Sequence, residues 1–286
     1  MKKLSVVIVA FLCFGQLAKA QRTAQNKTVL EAEKDYNKAV SQKGIREGSL
    51  SMMDADAMVF KPEPVLAKTY YDGKEKIAGK LTVTPSMARI SANGDLAFTA
   101  GSYVIKNNTD DADYGEYLSI WRADLSGKLK IIFNIDMQHP EIKETPIVDF
   151  KEPAVAASHV INKDPFTGRN IIITTDKLFN SSLNFSTISA YKEFLTLDGR
   201  YFFPGFEPVI GQDKILQFIG NQAISIEALN TGAGRAASSD LAYSYGKATI
   251  KKGEITNKYN YIRIWEPDNA HKWNILAEIF SPIDEK

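Results

Sequence analysis

Between residues 128 and 138 apolar and polar side chains alternate with the two-residue period of a strand. Leu129, Ile131, Phe133, Ile135 and Met137 fall on one face, and Ile132, Asn134 and Asp136 on the other. Strands of the same rhythm are predicted at 87–91, 96–106 and 114–124. Asn93-Gly94 and Ser126-Gly127 supply turns between them, and Asn107 to Asp113 makes a longer polar loop. Ahead of the strands the period changes. Thr28 and Glu31 have capping-box spacing, and Val29, Ala32, Tyr36, Ala39 and Val40 recur at three- and four-residue steps, which predicts an amphipathic helix. A second short helix is predicted at 45–53, a strand at 57–61 and a further short helix at 75–78. Helices come first and an antiparallel meander follows. A curved sheet wrapping its concave face around the helices buries the Leu129 set and leaves Asn134 and Asp136 on the convex side.

The pattern occurs twice. Asp95-Leu96-Ala97-Phe98-Thr99-Ala100-Gly101 returns as Asp240-Leu241-Ala242-Tyr243-Ser244-Tyr245-Gly246, and Tyr117-Leu118-Ser119-Ile120-Trp121 as Tyr261-Ile262-Arg263-Ile264-Trp265. Upstream, Phe60-Lys61-Pro62-Glu63-Pro64 is matched by the stretch from Phe202 to Pro208, and the offsets stay between 142 and 145 residues. Three pairs in one order at nearly constant offset indicate duplication. Between the copies Pro146, Pro153 and Pro165 interrupt any sustained period, as an extended connection requires. The expected organisation is a leader at 1–20, a first domain at 27–140, a linker at 141–171 and a second domain at 172–283.

The helix-first layout, the stretch 93–101, the Tyr-Leu-Ser-Ile-Trp strand at 117–121 and the turn into Lys128-Leu129-Lys130 resemble the SnoaL-like and domain-of-unknown-function branch of the nuclear transport factor 2-like superfamily. The second copy resembles it mainly through 240–246 and 261–279. The resemblance implies an α+β class with two tandem cone-shaped repeats, each packing N-terminal helices on a curved antiparallel sheet. It implies no one chemistry, since the superfamily holds isomerases, cyclases, dehydratases and transport factors. Members commonly dimerise through the outer face of the sheet, so a tandem chain is expected to be a monomer whose repeats form a pseudo-dimer.

Composition narrows the function classes. Lys2 and Lys3, the apolar run from Leu4 to Phe14 and the ending Ala18-Lys19-Ala20 read as a signal peptide, so an exported protein, periplasmic or secreted from a bacterial envelope, is expected. Cys13, the one cysteine, falls inside that leader and Ala10-Phe11-Leu12 before it does not suit lipid attachment. No membrane span is expected. With 35 basic against 34 acidic residues the net charge is +1, which disfavours nucleic acid as a partner.

An apolar cone open at one end would seat a small apolar or lipidic molecule among aromatic side chains. The candidates are Tyr103, Tyr117 and Trp121 in the first repeat and Tyr243, Tyr245, Tyr261 and Trp265 in the second, although aromatics in strands more often pack the core. Resemblance to ketosteroid isomerases and polyketide cyclases implies an acid and a tyrosine in such a cavity, and Asp54, Asp56, Asp136 and Glu278 are the acids considered. Asp54 and Asp56 stand where turn and capping duties suit an aspartate, and Asp136 and Glu278 are expected on the convex face with Asn134 and Asn274. His139, His159 and His271 form no metal-ligand spacing, so neither metal nor cofactor is expected. Gly232-Ala233-Gly234-Arg235-Ala236-Ala237 satisfies a dinucleotide pattern but stands before a hairpin rather than in a βαβ unit. A binding protein without catalysis is therefore the leading expectation. The alternatives are an isomerase- or lyase-type enzyme with one active repeat and a protein-interaction scaffold.

Overall fold

The computed structural model describes residues 23–75, 77–107, 111–156 and 165–283, with 165–167 as backbone only. The segment expected to be a leader, with Cys13, and His159 lie outside the described residues. The chain builds α1 (Asn26–Met52), β1 (Met53–Phe60), β2 (Pro64–Leu66), α2 (Ala67–Asp72), β3 (Lys80–Ile90), β4 (Leu96–Lys106), β5 (Ala112–Ala123), β6 (Leu129–Gln138) and β7 (Asp149–Phe150). It then builds α3 (Pro165–Leu183), α4 (Thr187–Phe194), β8 (Leu195–Phe202), β9 (Val209–Ile210), α5 (Gln212–Asn221), β10 (Ile224–Arg235), β11 (Ala242–Lys252), β12 (Ile255–Pro267) and β13 (Trp273–Pro282). This is a tandem α+β protein of helices followed by a sheet, twice over.

The first sheet has the order β2-β1-β6-β5-β4-β3-β7 and the second β10-β11-β12-β13-β8-β9. Each meander is antiparallel, but β1 joins β6 and β8 joins β13 in parallel, so the sheets are mixed rather than purely antiparallel. Repeat equivalence extends to irregularities. The register shift between Pro85 and Met87 on β3 returns between Asn230 and Gly232 on β10, at the same offset of 145 that relates Asp95 to Asp240.

The predicted leading helices form one element broken at Gly44, whose φ of +81° interrupts the helix before Ile45. The helix expected at 75–78 is absent. Its described residues are irregular between Gly73 and Gly79, a span too short to nucleate a turn, and the helix forms earlier, where Ala67 and Tyr71 bury one face. The linker is partly built into elements: Asp149 and Phe150 pair with β3, and α3 begins at Pro165.

The larger correction concerns the closing strands. On β6 an extra residue, Ile132, interrupts the register opposite Ile120 and Trp121. Leu129 and Ile131 consequently pack inside the first cone with Val29, Tyr36 and Trp121, while Phe133, Ile135 and Met137 join the cluster on the outer face of the sheet. One extra residue inverts every side chain after it. On β13 the bulge at Leu276 does the same: Trp273 and Ile275 point inward, Ala277 and Ile279 outward, and Glu278 and Phe280 inward again.

The outer faces pack against each other. One buried cluster unites Phe98, Leu118, Ile120, Phe133 and Ile135 of the first repeat with Phe202, Ile262, Ile264, Leu276 and Ile279 of the second. The apolar outward positions created by the bulges are thus covered within the chain, as an intrachain pseudo-dimer. No helix among the described residues is long and apolar enough to cross a membrane.

Candidate functional site

Each cone holds a buried carboxylate at the same place on its leading helix. Glu33 on α1 is 1% exposed and Asp176 on α3 is fully buried, and they stand 143 residues apart. Each faces a hydroxyl from the second strand of the meander and a tyrosine from the third: Thr99 and Tyr117 for Glu33, Ser244 and Tyr261 for Asp176. The hydroxyls are fixed from behind, since Trp121 Nε1 donates to Thr99 Oγ1 at 2.9 Å and Trp265 Nε1 to Ser244 Oγ at 2.8 Å.

The two carboxylates nevertheless live in different electrostatic worlds. Asp176 accepts from Tyr261 Oη and Ser244 Oγ at 2.8 Å, from Asn230 Nδ2 at 2.7 Å and from Arg263 Nη1 at 2.7 Å. Arg263 is itself fully buried and donates from Nε to Glu278 Oε1 at 2.5 Å, while Tyr191 donates to the other Glu278 oxygen. Two anions and one cation fill the second cone, and burial still pushes Glu278 above the usual carboxylate range. In the first repeat the register partners of Arg263 and Glu278 are Ser119 and Asn134, which make a neutral hydrogen bond of 3.0 Å. Glu33 therefore meets no buried cation among the described residues. Burial pushes its pKa from 4.5 to about 7 against the pull of the Thr99 and Tyr117 hydroxyls, and neither Glu33 Oε2 nor Tyr117 Oη reaches a partner with hydrogen-bond geometry.

The cones themselves are filled by their own side chains. Tyr103 is 6% exposed, Tyr117 3%, and Trp121, Tyr261 and Trp265 0%. Open space lies elsewhere: one hollow of about 770 Å³ is bordered by Glu63, Leu229, Lys247 and Lys258, and a second region lies between the repeats. A groove with two adjoining lobes of about 430 and 640 Å³ runs along the outer side of β10, from Thr231 to Arg235. Its floor is aromatic: Tyr243 and Tyr245 line it, with the Phe133 ring 5.4 and 4.7 Å from theirs. Its rim is basic, carrying Arg122, Arg169 and Arg235 with Asp56 and Asp95. Burial pushes the Arg235 guanidinium below its ordinary value, and it meets no hydrogen-bond or ion-pair partner among the described residues.

The Gly-x-Gly stretch at 232–234 has its reason here. Gly232 and Gly234 lie directly across from Tyr245 and Tyr243, and a Cβ at either would stand 2.8 or 2.4 Å from the ring it faces. The glycines let the tyrosines lie flat over β10. The stretch belongs to an antiparallel pair, not to a βαβ unit.

Of the seven aromatic candidates, five are core and only Tyr243 and Tyr245 reach open space, outside the cones. Asp54 and Asp56 are not turn residues. Both sit within β1 and pair with Arg122 Nη2 at 3.1 and 2.8 Å, and against burial that guanidinium holds Asp54 below its usual range. Asp136 is not on a solvated convex face: it pairs with Lys61 on the concave side, where its charge acts on Tyr36, Tyr71 and Tyr103. Glu278 is likewise inside, for the bulge reason given above. Glu33 and Asp176 were missed, although a lone acid inside an apolar helical face, at matching positions of the two copies, was a signal available to find them.

No family model and no curated protein matches the chain. Among solved structures, a ketosteroid isomerase-like protein from Erwinia carotovora atroseptica SCRI1043 is 15% identical over 43% of this chain and 98% of its own, with a TM-score of 0.37. An NTF2-like protein from Cytophaga hutchinsonii ATCC 33406 is 15% identical over 40% and 97%, with a TM-score of 0.34. An LEH-like epoxide hydrolase from M. tuberculosis is 14% identical over 39% and 79%, with a TM-score of 0.32. At these values the likeness assigns no activity to this chain.

Proposed function

We propose that the protein is an exported binding protein without catalysis, monomeric in solution, whose ligand seat is the groove between its two repeats. The observation that carries this reading is the contrast between filled cones and an open groove that joins tilted aromatic rings to a rim carrying three arginines. Half-buried tyrosine faces beside guanidinium groups suit a ligand that is anionic at one end and apolar along its body. On this reading the small apolar ligand expected for the cones sits outside them. Export rests on the leader pattern at 1–20, and the domain limits 27–140 and 172–283 on the internal repeat.

The test is a thermal-shift panel of decanoate, benzoate, inorganic phosphate and short acidic peptides. At least one member is expected to raise the melting temperature of the parent protein, and the rise is expected to vanish in Arg235→Glu and Tyr245→Ala. A panel without effect, or a shift that survives both substitutions, overturns the reading. The enzymatic alternative is carried by Glu33 and Tyr117, a carboxyl titrating near neutrality beside a tyrosine, but a substrate reaches them only by displacing buried side chains such as Tyr36 and Tyr103.

A further inference from the structure

The groove has an occupied counterpart in the same molecule. On the first sheet the outer edge of β3 is taken by the linker, which pairs in parallel with Met87 opposite Asp149 and Ala88 opposite Phe150. Side chains clasp that segment from both repeats. Arg89 donates to the Asp149 carboxylate at 2.8 Å and to its carbonyl at 3.0 Å, and Arg200 donates to the Ile147 carbonyl at 2.7 Å. Lys151 pairs with Asp198, and Asn26 Nδ2 donates to the Lys151 carbonyl. Glu266 closes the slot against Arg89 Nε at 3.1 Å.

The internal repeat maps this slot onto the groove. Met87 and Ala88 correspond to Gly232 and Ala233, Asp198 to Asp56, Arg200 to Met58, Glu266 to Arg122 and Asn26 to Arg169, all at offsets of 142 to 145. All six counterparts line the smaller lobe, of about 430 Å³, beside Tyr243 and Tyr245. The strand that occupies the first slot has no counterpart in the second: β10 is the edge of its sheet, and no described strand pairs with its outer side. An open edge beside an apolar floor is a template for another strand.

We propose, resting on the groove reading above, that the occupant is an extended acidic peptide of a partner protein, added in parallel to the outer edge of β10 at Gly232 and Ala233. Two differences between the slots select its chemistry. Asn26 and Glu266 have become Arg169 and Arg122, and Arg89 and Arg200 have become Gly234 and Met58. Arg122 is paired with Asp54 and Asp56, so the cation that the second slot adds without a described partner is Arg235, which stands where the first slot has Ile90. A strand presents alternate side chains to the two sides. Apolar residues at alternate positions suit the Tyr243, Tyr245 and Phe133 rings, and an acidic residue suits Arg235, so the peptide combines apolar and acidic residues.

The probe is a dye-labelled peptide copying residues 146–152 with Lys151→Glu, followed by fluorescence anisotropy and by amide hydrogen exchange on the full chain. Saturable binding is expected, weakened roughly tenfold or more by Arg235→Glu and by raised salt. Exchange is expected to slow at residues 231–235, a readout that charge attraction alone would not move. Binding that leaves those amides unprotected, or that Arg235→Glu does not weaken, overturns the proposal. If decanoate or phosphate binds at the groove and the peptide does not, strand addition falls and the groove reading stands; if none binds, both fall.

Discussion

Asp95 and Asp240 each accept a hydrogen bond from the backbone of the other repeat: Ala237 N–H donates to Asp95 Oδ2 and Ala92 N–H to Asp240 Oδ2, both at 2.8 Å. Donors and acceptors are related by the same offset of 145, so the contact is reciprocal, as in the self-complementary interface of a twofold dimer. The second carboxylate oxygen of each is held by a nearby serine, Ser91 or Ser238, at 2.6 Å. Removing one acceptor strands a backbone N–H at the junction. Asp95→Ala is expected to lower unfolding free energy by about 1–3 kcal/mol in urea titrations, and Asp95→Asn, which keeps an acceptor oxygen, by less.

Glu33 gives the protein a pH dependence of definite sign. Its folded pKa of about 7 lies above the ordinary 4.5, so folding favours the neutral acid. The contribution is present in full below pH 4.5 and is lost as pH rises through about 7. The shift corresponds to an order of magnitude of ~3 kcal/mol. Glu33→Gln is expected to match the parent near pH 4 and to exceed its stability at pH 8. Parallel unfolding curves for the two proteins across that interval would contradict the placement of Glu33.

Arg263 is the cation that makes two buried anions tolerable. Arg263→Met is expected to cost about 3–5 kcal/mol, because Asp176 and Glu278 lose their common partner. Installing the first repeat's pair instead, Arg263→Ser with Glu278→Asn, is expected to cost less than the single change, measured by thermal unfolding of both variants.

The glycines opposite the groove tyrosines are steric requirements. Gly234→Val is expected to destabilise by about 1–3 kcal/mol through collision with the Tyr243 ring, and Tyr243→Ala is expected to relieve most of that cost when combined with it.

The duplication, the meander and the leading helix were legible because they rest on patterns with fixed periods and on turn residues such as Gly94 and Gly127. What was illegible follows from single residues that break a period. Ile132 and Leu276 are apolar like their neighbours, so nothing in the local pattern marks them as the extra residue of a bulge. Reading through them carried Asp136 and Glu278 to the wrong face and hid the outward apolar set that joins the repeats. Likewise Tyr243 and Tyr245 were recognised as aromatic candidates, but only the packed repeats place them beside Arg122 and Arg169, which come from elements distant in the chain. A site made between two copies has no signature within either copy.

The most direct test of a groove seat uses a thiol at its mouth. Thr231 is exposed and lines the groove, and Cys13 is the one native cysteine, so Thr231→Cys in a Cys13→Ser background offers a single attachment point. Binding of decanoate and of the labelled 146–152 peptide would be measured before and after alkylation with a bulky maleimide. The groove account predicts that whichever of them binds the unmodified protein loses binding once the thiol is capped; unchanged affinity after capping would contradict it.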